Sequence, residues 1–194
     1  MNKQNPCTDK LSDIDYLKHM IPHHQVAVDM SELLIPIIDN PTILHLCRNI
    51  IKAQKYEIIE MNTMKNKLSS TIFDNNINNN NKKNYVDKND TKLSIYEPIK
   101  SKSKDGSCNP LFFKPNEHKN AMKHMQITIK SYLEHMIPHH QVAVDMSKRL
   151  LLHTNHSYLM YFCRKLIVDQ EYEIFYMNDL LNNTYIHESE LLKN

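Results

Sequence analysis

Three histidines fall within six residues at two places in this chain: His19, His23 and His24, then His135, His139 and His140. Each set lies in the same stretch, His-Met-Ile-Pro-His-His-Gln-Val-Ala-Val-Asp-Met-Ser. On a helix, His19 and His23 stand four apart and project from one face, the spacing at which two imidazoles can share a metal ion. His23 and His24 diverge by about 100° and serve one ion poorly from an unbroken helix. Met20 and Met136 recur beside these histidines, and thioether with imidazole is a soft donor set suited to copper(I) or silver(I). Glu57 and Glu173 recur further along each copy. They can ligate a harder metal or hydrogen-bond a histidine from outside the metal's own shell. The expected metal residues are therefore His19, Met20, His23, His24 and Glu57, with His135, Met136, His139, His140 and Glu173. Copper is the first choice and another transition metal the second.

A methionine stripe at helical spacing is more often core filler than a ligand set, and a lone core histidine is usually just hydrogen-bonded. Three histidines in six residues, twice, are harder to assign to packing, because imidazole is costly to bury without a partner. Pro22 and Pro138 sit inside the same pattern. An internal proline lacks the N–H a helix needs and crowds the carbonyl four residues back, so a kink or a fresh turn is expected at each. Gln54, Gln170, Asp29 and Asp145 read as hydrogen-bonding partners rather than ligands.

The elements that must position these groups follow from the repeat. Residues Tyr16 to Asn62 align without a gap on Tyr132 to Asn178. In the first sixteen positions only Lys18/Glu134 differs. Later identities are spaced: Cys47, Ile51, Gln54, Ile58 and Met61 step by four, three, four and three, one stripe of a helix. Ser12 with Asp13 and Asp15 marks the start of the first helix, and Asn40-Pro41 the start of the second. Each repeat is thus a helical hairpin, and one hairpin cannot bury its own stripe. The expectation is an all-α four-helix bundle in which the two hairpins form one domain. The first hairpin is assigned to 12–67 and the second to 116–183, with a third helix running unbroken from Asn116 into the second motif. Between them, 68–115 is read as an Asn/Lys-rich linker. Its Asn75–Lys92 part cannot repay the entropy of ordering, and Leu93–Pro115 carries enough apolar residues to lie on the bundle.

Bulk composition narrows the function. A net charge of +2 gives no basic face for nucleic acid, and the single glycine, Gly106, excludes a glycine-rich phosphate loop. No apolar run is long enough for a signal peptide or a membrane span, so an intracellular protein with no membrane partner is expected. The four cysteines form no Cys-x-x-Cys pair, and Cys47 and Cys163, at equivalent repeat positions, read as buried thiols. Oligomeric state is left open.

The double HMIPHHQVAVDMS, each copy followed by Gln-x-x-Glu-Ile-x-x-Met (QKYEIIEM and QEYEIFYM), resembles the domain-of-unknown-function 305 family. That resemblance implies a ferritin-like bundle of two similar two-helix repeats, with the family's histidine pair at His23-His24 and His139-His140. It covers roughly half the chain and occurs in bacterial secreted proteins and in viral ones. Some members are linked to copper. Members usually carry glycine after HHQ, where this chain has Val26 and Val142, and they are often exported. Di-iron bundles need Glu-x-x-His pairs, and this chain has none. The functional expectation is a metal-binding helical bundle, with copper binding or storage through His and Met as its role. The alternatives are an interaction bundle with buried histidines and no metal, and a metal-dependent redox enzyme.

Overall fold

The structure is a computed structural model, and it describes residues 5–78, 108–123 and 126–183. Among the described residues it is all helical. The order is α1 (Asp13–Leu34), a 3-10 turn (Ile35–Ile37), α2 (Pro41–Asn78), a 3-10 turn (Pro110–Phe113), α3 (Pro115–Lys123), α4 (Ile129–Leu151) and α5 (Ser157–Asn182). No described helix is long and apolar enough to cross a membrane.

The starts of the helices follow from their caps. Ser12 caps α1, its hydroxyl accepting from the Asp15 N–H at 3.2 Å, and Asp13 and Asp15 place negative charge at that end. Asn40 Oδ1 accepts from the N–H groups of Thr42 and Ile43, which starts α2 at Pro41. Both starts are the ones expected from the sequence.

Four expectations need revision. The third helix is not continuous from Asn116. It is divided into α3 and α4, because Thr128 and Ser131 form a reciprocal capping box: Thr128 Oγ1 accepts from Ser131 N–H, and Ser131 Oγ from Thr128 N–H. As a result α4, at 23 residues, is close in length to α1, at 22. Secondly, of the two outcomes expected at each proline, the fresh turn does not form: α1 and α4 continue through Pro22 and Pro138. An internal proline costs roughly 3 kcal/mol. Burying Tyr16, Leu17, Met20, Val26, Met30 and Leu34 at essentially zero exposure, at about 1.5–3 kcal/mol for each large apolar side chain, outweighs that. Thirdly, the inward stripe of α2 is Cys47, Ile50, Gln54, Glu57, Met61 and Met64, with Ile51 and Ile58 at its half-buried edge. Glu57 faces inward because a histidine of α1 receives it. Lastly, α2 runs on to Asn78, beyond the expected hairpin end at residue 67. Most of the segment read as unable to order, residues 79–92, lies outside the described residues, as does 93–107.

Helix α1 packs on α2, α4 packs on α5, and α1 crosses α4. Two apolar clusters result, each drawing on both hairpins. One joins Tyr16, Leu17 and Met20 of α1 and Met61 of α2 to Val142, Met146 and Leu150 of α4 and Phe162 and Leu166 of α5. The other joins Met30 and Leu34 of α1 and Cys47 and Ile50 of α2 to Tyr132, Leu133 and Met136 of α4 and Met177 of α5. The start of each motif helix thus meets the end of the other, so α1 and α4 run antiparallel.

Candidate metal centre

Two reciprocal hydrogen bonds fix the crossing. The Tyr16 hydroxyl meets Ser147 Oγ at 2.7 Å, and the Tyr132 hydroxyl meets Ser31 Oγ at 2.8 Å. Ser31 spends its own proton on the Ala27 carbonyl, so it accepts from Tyr132. Tyr16 and Tyr132 are equivalent motif positions, as are Ser31 and Ser147. Midway between tyrosine and serine in the motif stands the histidine pair. The crossing therefore puts His23-His24 against His139-His140, each set fully buried.

The four rings divide into two kinds. His23 and His139 stack face to face, with centroids 3.6 Å apart and planes at 24°. His139 Nε2–H donates to the His23 carbonyl at 3.1 Å, which leaves a lone pair on His139 Nδ1. Among the described residues that nitrogen has no hydrogen-bond partner, and neither ring nitrogen of His23 has one. His24 and His140 point away to carboxylates on the neighbouring helix of their own hairpin. His24 Nε2 lies 2.9 Å from Glu57 Oε2, and His140 Nε2 lies 2.7 Å from Glu173 Oε2. Of the two roles open to these glutamates, both hold a histidine. The Nδ1 atoms of His24 and His140 are buried and unpartnered.

The remaining expected residues fall around this core. His135 lies one helical turn before His139, with its ring 6.4 Å away. His19 lies one turn before His23 and meets Phe113 edge-on at 5.9 Å. Met20 and Met136 are fully buried in the two apolar clusters. Asp29 and Asp145 accept from Gln25 and Gln141, as expected of partners. Gln54 and Gln170 do not act as partners: both amides are buried with neither oxygen nor nitrogen hydrogen-bonded. Cys47 and Cys163 are buried free thiols, as expected. Burial pushes them up, to about 11 and about 12 respectively, so they stay protonated.

Three groups came into view only with the structure. Cys7 and Cys108 form a disulfide, for which the spacing of the cysteines offered no clue. The turn that follows lays Phe112 edge-on against His135 and His139, at 4.9 and 5.0 Å, and Phe113 beside His23 at 5.3 Å. From α3, His118 brings its Nε2 to 3.1 Å from that of His135. The four-residue spacing of His118 and Met122 was a legible sign of this last group.

Electrostatics favour the neutral form of His23, His139 and His135. Burial, followed by the charge of neighbouring imidazoles, holds His23 and His139 well below the ordinary histidine value. Burial and then His118 lower His135 to about 4, and burial lowers His19 and His118. At Glu57, burial alone would raise the carboxyl, but the His24 hydrogen bond and charge, with Lys165 on α5 at 3.4 Å, outweigh it and hold it low. Neutral imidazole with an unused lone pair is the form that binds metal. The donor chemistry thus fits a soft or borderline ion. Stacked rings do not aim two lone pairs at one point, so an ion between His23 and His139 requires a ring to turn. Among the described residues, no three His, Cys, Asp or Glu side chains already converge as a metal site.

The fold is similar to that of CopM. The apo form of CopM superposes with a TM-score of 0.61 at 24% identity, covering 90% of this chain and 99% of that one. The Cu(I)-bound form gives 0.62 at 24% identity, over 90% and 99% of the two chains. A silver-bound form obtained by soaking gives 0.60 at 24% identity, over 91% and 99%. In sequence, the chain is 38% identical over 65 residues to Uncharacterized protein L153 of Acanthamoeba polyphaga mimivirus, a match over 32% of this chain. It spans 43% of that relative's length. The family model described as "Domain of unknown function (DUF305)" matches residues 13–181, from the start of α1 almost to the end of α5, and the chain belongs to this family.

Proposed function

We propose that this protein is a metal-binding helical bundle that holds a soft transition metal, copper first, through the imidazoles where its two motifs cross. One observation carries the reading. His23 and His139 are fully buried face to face, and three of their four ring nitrogens have no hydrogen-bond partner. Leaving such a group unsatisfied costs about 1–3 kcal/mol, which a ligand taking the lone pair would recover. His19 and His135 stand one turn away on the same helices as further donors, while His24–Glu57 and His140–Glu173 brace the helices from behind. The copper- and silver-bound forms of CopM, a protein of similar fold, support the choice of a soft ion. Binding or storage fits better than catalysis, because Phe112 and Phe113 cover the rings.

A second reading has an observation of its own. With no converged donor triad among the described residues, the histidines would be core groups held by stacking and by two glutamates. Titrating the untagged chain with copper(I) under a competing chelator, beside the His23→Phe/His139→Phe variant, separates the two. Uptake by the native chain and its loss in the variant uphold the metal reading. Equal uptake by both, or none by either, leaves the core reading. His153, whose Nε2–H donates to the Leu11 carbonyl oxygen at 2.7 Å and so anchors the chain, is the control whose removal leaves uptake intact.

A further inference from the structure

The two motifs are equivalent in sequence but not in surroundings. His135 has a partner that His19 lacks: His118, on α3, outside both repeats. We infer that His118, His135 and Met122 form a separate three-donor site for a monovalent soft cation, copper(I) or silver(I). This inference rests on the soft-metal reading above and extends it to donors outside the motif.

The His118 and His135 Nε2 atoms face each other at 3.1 Å. Each neutral imidazole carries one proton, so one Nε2 donates and the other accepts. For a cation to take both Nε2 lone pairs, the donating ring must shift its proton from Nε2 to Nδ1, so that both rings stay neutral and no net proton is released. With metal–imidazole bonds of about 2.0 Å and a trigonal angle, the two nitrogens would stand about 3.5 Å apart, an opening of only about 0.4 Å. The third donor is placed by the helix. Met122 follows His118 by four residues on α3 and so shares its face. Both side chains, with His135 and Ser131, line one cavity of about 230 Å3. His118 is 2% exposed, and Phe112 closes the site against the ring of His135.

The donor types choose the ion. Two imidazoles and a thioether suit a soft cation. No carboxylate lines the cavity, so calcium, magnesium or manganese would have nothing to replace their water. The position equivalent to His135 is His19, whose ring meets Phe113 instead. Among the described residues, this juxtaposition therefore occurs once rather than as a symmetric pair.

Silver(I) tests this without redox ambiguity. The full-length untagged chain is titrated in chloride-free buffer while the imidazole nitrogens are followed by long-range proton–nitrogen NMR. The Nε2 signals of His118 and His135 are expected to move together. His118→Asn is expected to lose one equivalent of silver while keeping native helicity. Met122→Leu, which preserves apolar packing, should weaken that equivalent at least about tenfold, since even groups outside the metal's own shell are worth 10–100-fold. If the two Nε2 signals stay still in the native chain while His23→Phe/His139→Phe abolishes uptake, this inference falls and the central-pair reading stands. If uptake is lost with His118→Asn but not with His23→Phe/His139→Phe, the reverse holds. The NMR result on the native chain decides the matter even where His118→Asn fails to fold.

Discussion

Acid should unfold the metal-free protein in a pH window set by its histidines. The perturbation is a drop from pH 7.5 to 4.5 with a chelator present. His135 has its native value lowered to about 4 by burial and by His118, whereas in the unfolded chain it returns to about 6.5. Above pH 6.5 both states are neutral there, and the full stability is present. Below it the unfolded state takes a proton that the native state refuses, so stability falls with pH until about 4. At about 1.4 kcal/mol per pH unit over that interval, this residue alone accounts for roughly 3 kcal/mol. His23, His139, His19 and His118 are lowered in the same direction, so with His135 the slope just below pH 6 amounts to several protons, each worth about 1.4 kcal/mol per pH unit. Against a typical total of about 5–15 kcal/mol, that is enough to unfold the chain before pH 4. Glu57 also has a lowered value, but a depressed carboxyl loses its contribution only below about 4.5, where the imidazole window is closing. The assay is urea denaturation followed by circular dichroism at half-unit pH steps. His135→Gln keeps an amide for His118 and should make the slope shallower by about one proton, 1.4 kcal/mol per pH unit. A midpoint that does not move between pH 7 and 5, or an unchanged slope in His135→Gln, would refute the reasoning.

Other outcomes follow from the same contacts. Tyr16→Phe and Tyr132→Phe should each cost about 1–2 kcal/mol, by equal amounts, because each removes one reciprocal hydrogen bond to a buried serine; unequal losses in chemical denaturation would show that the two halves of the crossing differ. Glu57→Leu should destabilise by roughly 3 kcal/mol and more than Glu173→Leu, since the Glu57 side chain is 5% exposed against 19%; the order of the two melting temperatures checks this. Reducing the Cys7–Cys108 bridge reopens a loop of 101 residues, worth up to about 4–5 kcal/mol in the chain-entropy account, and should lower the melting temperature of wild type but not of Cys7→Ser/Cys108→Ser. The same reduction frees the turn carrying Phe112 and Phe113, so copper(I) uptake measured by stopped flow should quicken.

Legibility in the sequence tracked the range of the interaction. The caps at Ser12 and Asn40 are local, and they could be read directly. The hairpins came from the repeat, and the bundle from the need of two apolar stripes for each other. The direction of the crossing was not readable, because nothing local says that Tyr16 will find Ser147. The inward turn of Glu57 was half readable. Its recurrence marked it as special, but the helical stripe drawn through Ile51 and Ile58 left it at the side. An apolar count cannot anticipate that a buried histidine will draw a carboxylate inward. The break before α4 was missed for the opposite reason: Thr128 and Ser131 form a strong local stop, but the methionines and histidines preceding them invite a continuous helix. The Cys7–Cys108 bridge joins positions 101 residues apart, and no pattern in the chain announces it.

The site itself shows what a near-identical repeat can and cannot specify. Sixteen positions with one difference put His23 and His139 at the same place on two helices, and an antiparallel crossing must bring such positions face to face. Symmetry ends there. His139 donates to the backbone carbonyl of His23, while His23 makes no return bond, since two stacked rings 3.6 Å apart cannot both occupy the centre. The segment between the repeats has no counterpart elsewhere in the chain, so what it adds falls on one side. Phe113 reaches His19, and His118 reaches His135. Both of these equivalent histidines therefore meet a phenylalanine edge-on, but His135 meets a second imidazole as well. A donor set built that way follows the insertion and not the motif, so a relative that kept both motifs but replaced His118 should keep the central pair and lose the site beside His135.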